Sequence, residues 1–178
     1  YKDRDRYLSV SLDIVDEMNQ IVLEILSLSS VQELAGDKEW FQLDQVLEQI
    51  LDQYKVLAQS RALTIDNQIP AKPIYMDPAI LKLVLSNVIS NAVKHSDAGG
   101  EIQLRLEEEG THLAVENTSQ EMVETAEMPM SASRQKKEGG LGLFVVQHLL
   151  DHEELAYQFD KTAMGLRFRM ELPKEPQE

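Results

Sequence analysis

The sequence predicts an α/β sandwich of the α+β kind: a mixed sheet with helices on one face, preceded by one long N-terminal amphipathic helix. Three observations lead there. From Trp40 onward, short strand-like runs alternate with longer runs of helical period. The chain closes on two strand-like runs, 155–159 and 166–172, spaced as a hairpin. Its 178 residues, 43% hydrophobic and 27% charged, suit one globular domain with an appended element.

Leu8, Leu12, Val15, Met18, Val22 and Ile25 step by threes and fours, Leu26 and Ser29 continue the face, and Asp13, Asp16, Glu17, Asn19 and Glu24 lie between them. So narrow a stripe suits a partner helix, although a surface helix folded onto its own domain fits the same pattern. Gly36 stops it. Trp40-Phe41-Gln42-Leu43 reads as a strand, after which Asp44 is expected to cap a helix bearing Val46, Leu47, Ile50, Leu51, Tyr54 and Leu57. Leu63-Thr64-Ile65 and Ile74-Tyr75-Met76 are short strands. Asp77-Pro78 opens the next helix, with Asp as cap and Pro at the first helical position. It runs to about His95 and stops at Ser96-Asp97-Ala98-Gly99-Gly100. Strands 101–107 and 112–117 follow, hinged at Glu109-Gly110. Residues 118–138 show no sustained period, as a lid, a binding loop or a disordered segment would. Gly139-Gly140-Leu141-Gly142 then leads a helix ending near His152, and the hairpin completes the chain.

Composition removes several classes of function. The formal net charge of −14 argues against passive binding to nucleic acid or to an anionic membrane surface. A polyanion bound here must be small and held by local donors. The absence of cysteine excludes disulfides, thiolate metal sites and cysteine nucleophiles. No apolar run approaches the ~18 residues of a transmembrane helix. The chain opens mid-pattern at Tyr1-Lys2-Asp3 without a methionine, as an excised fragment would.

Three features carry chemistry. On the helix from Pro78, at ~100° per residue, Asn91 lies about 40° from Asn87 and Lys94 about 20° to the other side, so all three share one stripe. Asn is a poor helix former, and two on a Leu/Val/Ile helix come at a cost in propensity. The stripe is either a solvated face or a site offering a neutral oxygen to a hard cation and an ammonium to phosphate. Gly139-Gly140-Leu141-Gly142 is either an ordinary loop end or a helix start whose free N–H groups face a phosphate. Asn117, ending a strand beside the expected lid, is either turn chemistry or a ligand-reading group.

Their order discriminates where each alone does not. Leu85-Ser86-Asn87-Val88-Ile89-Ser90-Asn91-Ala92-Val93-Lys94-His95-Ser96, the Asp77-Pro78 start before it and Gly140-Leu141-Gly142-Leu143 after the loop resemble the catalytic ATP-binding domain of sensor histidine kinases. The resemblance covers the whole chain. It implies that residues 1–35 are the second helix of the dimerisation and phosphoacceptor hairpin, and that 36–178 form the catalytic domain, with a lid at about 118–138. The tail is similar to that of kinases responding to cell-wall antibiotics or peptides in Gram-positive bacteria.

The resemblance further implies ATP and Mg²⁺ as ligands, with Asn87, Asn91 and Lys94 as the catalytic set. Asn91 would give its oxygen to Mg²⁺, Asn87 would line the phosphate side, and Lys94 would touch phosphate oxygens. His95 would lie beside ribose or adenine. Gly140, Leu141 and Gly142 would frame the phosphate-facing helix start, and Asn117 would stand against the base. The implied partners are a response regulator and a second kinase subunit through the N-terminal helix. The implied location is the cytoplasmic portion of a cell-membrane protein. The family's Asp-x-Gly-x-Gly box is replaced by Asn117-Thr118-Ser119-Gln120-Glu121, lacking the acid and both glycines. Relatives of the same superfamily that are ATPases or serine kinases, or a degenerate binding or assembly domain, are the alternatives. Of His95, His112, His148 and His152, only His152 precedes an acid as a phosphoacceptor does, and it follows the wrong element; the acceptor is expected upstream of residue 1.

Overall fold

The computed structural model describes residues 36–119 and 141–174, with Leu141 described by its backbone alone. The helix expected before Gly36, the loop from residue 120, Gly139 and Gly140 lie outside the described residues. The elements in order are β1 (Glu39–Gln42), α1 (Leu43–Ser60), β2 (Thr64–Asn67), β3 (Pro73–Met76), α2 (Pro78–His95), β4 (Glu101–Glu107), a 3₁₀ turn (Glu108–Gly110), β5 (His112–Thr118), α3 (Leu141–His152), β6 (Tyr157–Lys161) and β7 (Gly165–Glu171). No described helix is long and apolar enough to cross a membrane.

The strand-and-helix mixture forms the expected two layers. Five strands run in the order β2-β4-β5-β7-β6, with β2 parallel to β4 and every other pair antiparallel. β1 and β3 form a separate antiparallel pair. In the helical layer α2 packs against both α1 and α3 and lies over β5, the central strand. Cross-strand partners share a face. Leu104–Val115, Leu106–Leu113, Val115–Phe168 and Leu113–Met170 therefore turn together toward the helices, where Leu104, Leu113, Val115, Phe168 and Met170 are buried.

The opposite face carries charge. Arg105 bonds Glu116 at 2.8 Å and Glu107 at 3.1 Å, and Arg169 bonds Glu108 at 2.7 Å. Burial pulls the Arg105 pKa down, but the hydrogen bonds to Glu107 and Glu116 outweigh it and the net direction is up. The polar side of the sheet thus satisfies its own buried carboxylate, Glu116.

α2 forms because Ile80, Leu81, Val84, Leu85, Val88, Ile89, Ala92 and Val93 are all buried in it. Each large aliphatic side chain so buried contributes about 1.5–3 kcal/mol, so together they far exceed the propensity cost of two asparagines, about 1 kcal/mol. Asp77 caps it as expected, accepting from the Ala79 N–H at 2.8 Å, with Pro78 at the first helical position.

Two local expectations are corrected. Asp44 does not cap α1: the helix begins one residue earlier, at Leu43, behind Gln42, which makes no side-chain cap. Leu43 is wholly buried and its N–H is taken by the Lys72 carbonyl at 2.9 Å, so a tertiary bond replaces the local cap. Asp44 instead sits in the first turn, where its charge suits the helix dipole. The penultimate strand starts at Tyr157 rather than Leu155. Glu154 takes a left-handed conformation (φ 56°), and the Leu155 N–H returns to the Leu150 carbonyl at 3.0 Å, which keeps both residues in the exit from α3.

Candidate functional site

The stripe on α2 meets the start of α3. The Asn87 side-chain amide donates to the Leu83 carbonyl one turn back, at 2.8 Å, which spends its donor on the helix and leaves its oxygen pointing outward. That oxygen faces Gly142. A Cβ placed on Gly142 would stand 2.7 Å from Asn87 Oδ1 and 3.7 Å from Asn91 Nδ2, so the two carboxamides and the glycine backbone occupy one small space. Gly142 is buried inside the first turn of α3. The first N–H groups of a helix have no intrahelical partner and carry its positive dipole end. Two neutral carboxamides therefore stand beside a helix N-terminus, a combination able to hold an anion and a cation paired with it.

Lys94 and His95 extend the stripe into the last turn of α2, and both are exposed. Asn117 lies on β5 between Ile102 of β4 and Leu166 of β7, on the face turned to the helices. It is 4% exposed, and its side-chain nitrogen has no hydrogen-bond partner among the described residues. An unpaired buried donor costs roughly 1–3 kcal/mol, a cost that a ligand acceptor would remove. The strand end is joined to the exit from α2 by the Asp97 N–H, which donates to the Thr118 carbonyl at 2.9 Å. A side chain on Gly165 would overlap the Asn117 carbonyl, so glycine lets the final hairpin close against this strand end.

The structure thus brings Asn87, Asn91 and Gly142 together and puts Lys94, His95 and Asn117 on the elements expected for them. Gly140 and the Leu141 side chain lie outside the described residues. His152 is exposed at the end of α3. Sequence reasoning passed over Gly165, whose position after Met164 carries no motif, and Arg61. The guanidinium of Arg61 bonds carbonyls 32 to 35 residues farther on, which no local pattern foretells. Among the described residues, no three His, Asp or Glu side chains gather as a metal cage.

Residues 76–176 match the family model described as histidine kinase-, DNA gyrase B-, and HSP90-like ATPase. The sensor histidine protein kinase HK06 of Streptococcus pneumoniae is 31% identical over 97% of this chain and 40% of its own length. The sensor protein VanSB of Enterococcus faecalis is 30% identical over 97% of this chain and 42% of its own length. The chain thus spans about two fifths of the length of these relatives. Among solved structures, the catalytic domain of histidine kinase ThkA superposes with a TM-score of 0.66 at 18% identity, covering 80% of this chain and 100% of that one. ThkA in complex with the response regulator TrrA gives 0.70 at 19% identity, over 95% of this chain and 51% of that one.

Proposed function

The chain belongs to the family of histidine kinase-, DNA gyrase B- and HSP90-like ATPases, and we propose that it is the ATP-binding catalytic part of a sensor histidine kinase. The reaction is transfer of the ATP γ-phosphoryl group to a histidine, for relay to a response regulator. The observation that carries the reading is the meeting of Asn87 and Asn91 with Gly142 at the first turn of α3. Phosphoryl transfer asks a protein chiefly for positioning and charge neutralisation, and this arrangement supplies the parts.

Each residue then has a task. The backbone at Gly142 and the α3 N-terminus receive phosphate oxygens, and Lys94 places its ammonium on them. Asn91 offers a side-chain oxygen to Mg²⁺. The donor set fits that ion: a neutral carboxamide beside phosphate oxygens is a hard-oxygen environment, and no carboxylate cage competes for it among the described residues. Mg²⁺, when bound, neutralises phosphate charge. Asn87, fixed by its bond to Leu83, keeps the α3 start in place. His95 lies beside the sugar or base, and the Asn117 carboxamide, free to turn either of its ends to the ligand, meets the purine edge. Residues 1–35 belong to the dimerisation and phosphoacceptor hairpin, and contact a second subunit. Residues from about 118 to 138 form the lid over the nucleotide. The part described is the cytoplasmic portion of a membrane-bound sensor, and its regulator partner is of the kind seen with ThkA.

Calorimetric titration tests this. Wild type binds ATP with Mg²⁺ dependence, while Asn91→Ala loses that dependence and keeps its melting temperature. Unchanged Mg-ATP affinity in the variant would sink the assignment. The missing glycines after Asn117 favour a second reading, a binding or assembly module without transfer activity; absence of nucleotide binding in wild type would decide for it.

A further inference from the structure

Arg61 follows α1, yet its side chain works at the far end of α2. Nη1 donates to the Val93 carbonyl at 2.8 Å and to the Lys94 carbonyl, and Nη2 donates to the Ser96 carbonyl at 2.7 Å. A helix leaves its last carbonyls without intrahelical partners. The planar fork of a guanidinium fits such a fan of acceptors, and its charge meets the negative end of the dipole. The Arg61 backbone takes part as well. Its carbonyl accepts from the Gly99 N–H at 3.0 Å, in the turn where Asp97 N–H holds the Thr118 carbonyl, next to Asn117.

Termination of α2 alone does not call for this. Ser96 already returns its N–H at 3.0 Å and its hydroxyl at 2.5 Å to the Ala92 carbonyl. Lys94 and His95 already place basic groups in the last turn. A further cation there adds repulsion to whatever it gains as a cap. What Arg61 does that the others do not is grip the carbonyl of Lys94 itself and those of Val93 and Ser96 around it. That grip acts on the backbone from which the Lys94 side chain leaves the helix.

We propose that Arg61 is a positioning residue for the phosphate end of the nucleotide site, holding the last turn of α2 so that Lys94 reaches phosphate oxygens. The Arg61 carbonyl, which a side-chain substitution leaves in place, joins the turn at Gly99 independently of this role. The proposal rests on the nucleotide-site reading above.

The test is a double-mutant cycle in the full chain, with Arg61→Ala, Lys94→Ala and their combination titrated with Mg-ADP and with adenosine. Arg61→Ala is expected to weaken Mg-ADP about tenfold and adenosine by no more than about twofold. In its background, Lys94→Ala should cost about twofold instead of about tenfold in the wild-type background, because coupled residues are not additive. Arg61→Lys keeps the charge without the fork and serves if the alanine variant folds poorly; about a threefold loss of Mg-ADP with adenosine unchanged is the expected result. Equal losses for both ligands, or full additivity with Lys94→Ala, would reduce Arg61 to a helix cap and overturn the proposal. A wild-type chain that binds neither ligand overturns the nucleotide reading and this proposal with it, whereas normal wild-type binding with an unaffected Arg61→Ala overturns only the role of Arg61.

Discussion

Gly142→Ala separates what the α3 start does for the fold from what it does for the ligand. Gly142 is needed for space rather than for an unusual backbone, since it lies inside a helix. The added methyl would come within 2.7 Å of Asn87 Oδ1 and 3.6 Å of its Cγ. Turning the Asn87 amide over does not help, because its nitrogen would then stand in the same place. Relief requires Asn87 to rotate away, giving up its 2.8 Å bond to the Leu83 carbonyl, or requires α3 to withdraw. The lost bond costs about 1 kcal/mol. Alanine recovers up to about 1 kcal/mol of helix propensity, less in a first turn. The two nearly cancel, so the melting temperature should move by only a few degrees, at about 2–4 °C per kcal/mol for a chain of this size. Binding has no such compensation, for the methyl fills the space between the two carboxamides and the α3 N–H groups. Mg-ATP affinity should fall by roughly tenfold or more, about 1.4 kcal/mol for each factor of ten. Calorimetry and thermal melting on the same preparation decide it. Affinity within about twofold of wild type would mean that ligand does not approach α3 at this glycine.

Two further outcomes follow from single side chains. Asn117→Asp should tighten ATP and sharpen its preference over GTP, because a carboxylate only accepts whereas a carboxamide suits either purine edge; the gain is about fivefold, and competition binding showing an unchanged ATP-to-GTP ratio would mean that residue 117 does not read the base. Asp77→Ala removes the acceptor of both the Ala79 and Gly36 N–H groups and should cost about 2 kcal/mol, read by denaturant unfolding, while a loss below about 0.5 kcal/mol would show that Gly36 and the helix start are satisfied otherwise.

What was legible in the sequence was whatever local chemistry decides. Asp77-Pro78 states its helix start outright, and the Asn87/Asn91/Lys94 stripe follows from helical geometry alone. What was not legible depended on distant partners. Leu43 enters α1 because Lys72 takes its N–H, so the nearer capping candidate, Asp44, misled. Asn117 offers a subtler case. Along β5, Leu113 and Val115 share its face, which should have placed it inward, but Ala114 and Glu116 are buried as well because the strand is central. Burial on both sides hid the alternation that would have separated an inward-facing asparagine from turn chemistry. Gly142 shows the converse. Glycine at a loop-to-helix junction suggests backbone freedom, while the structure gives it ordinary helical geometry and a neighbour, Asn87, that leaves no room for a side chain. The sequence therefore singled out residues on α2 and α3 that the structure brings together, without stating how they meet. Their relation is steric: Asn87 on one helix excludes a side chain from Gly142 on the helix beside it.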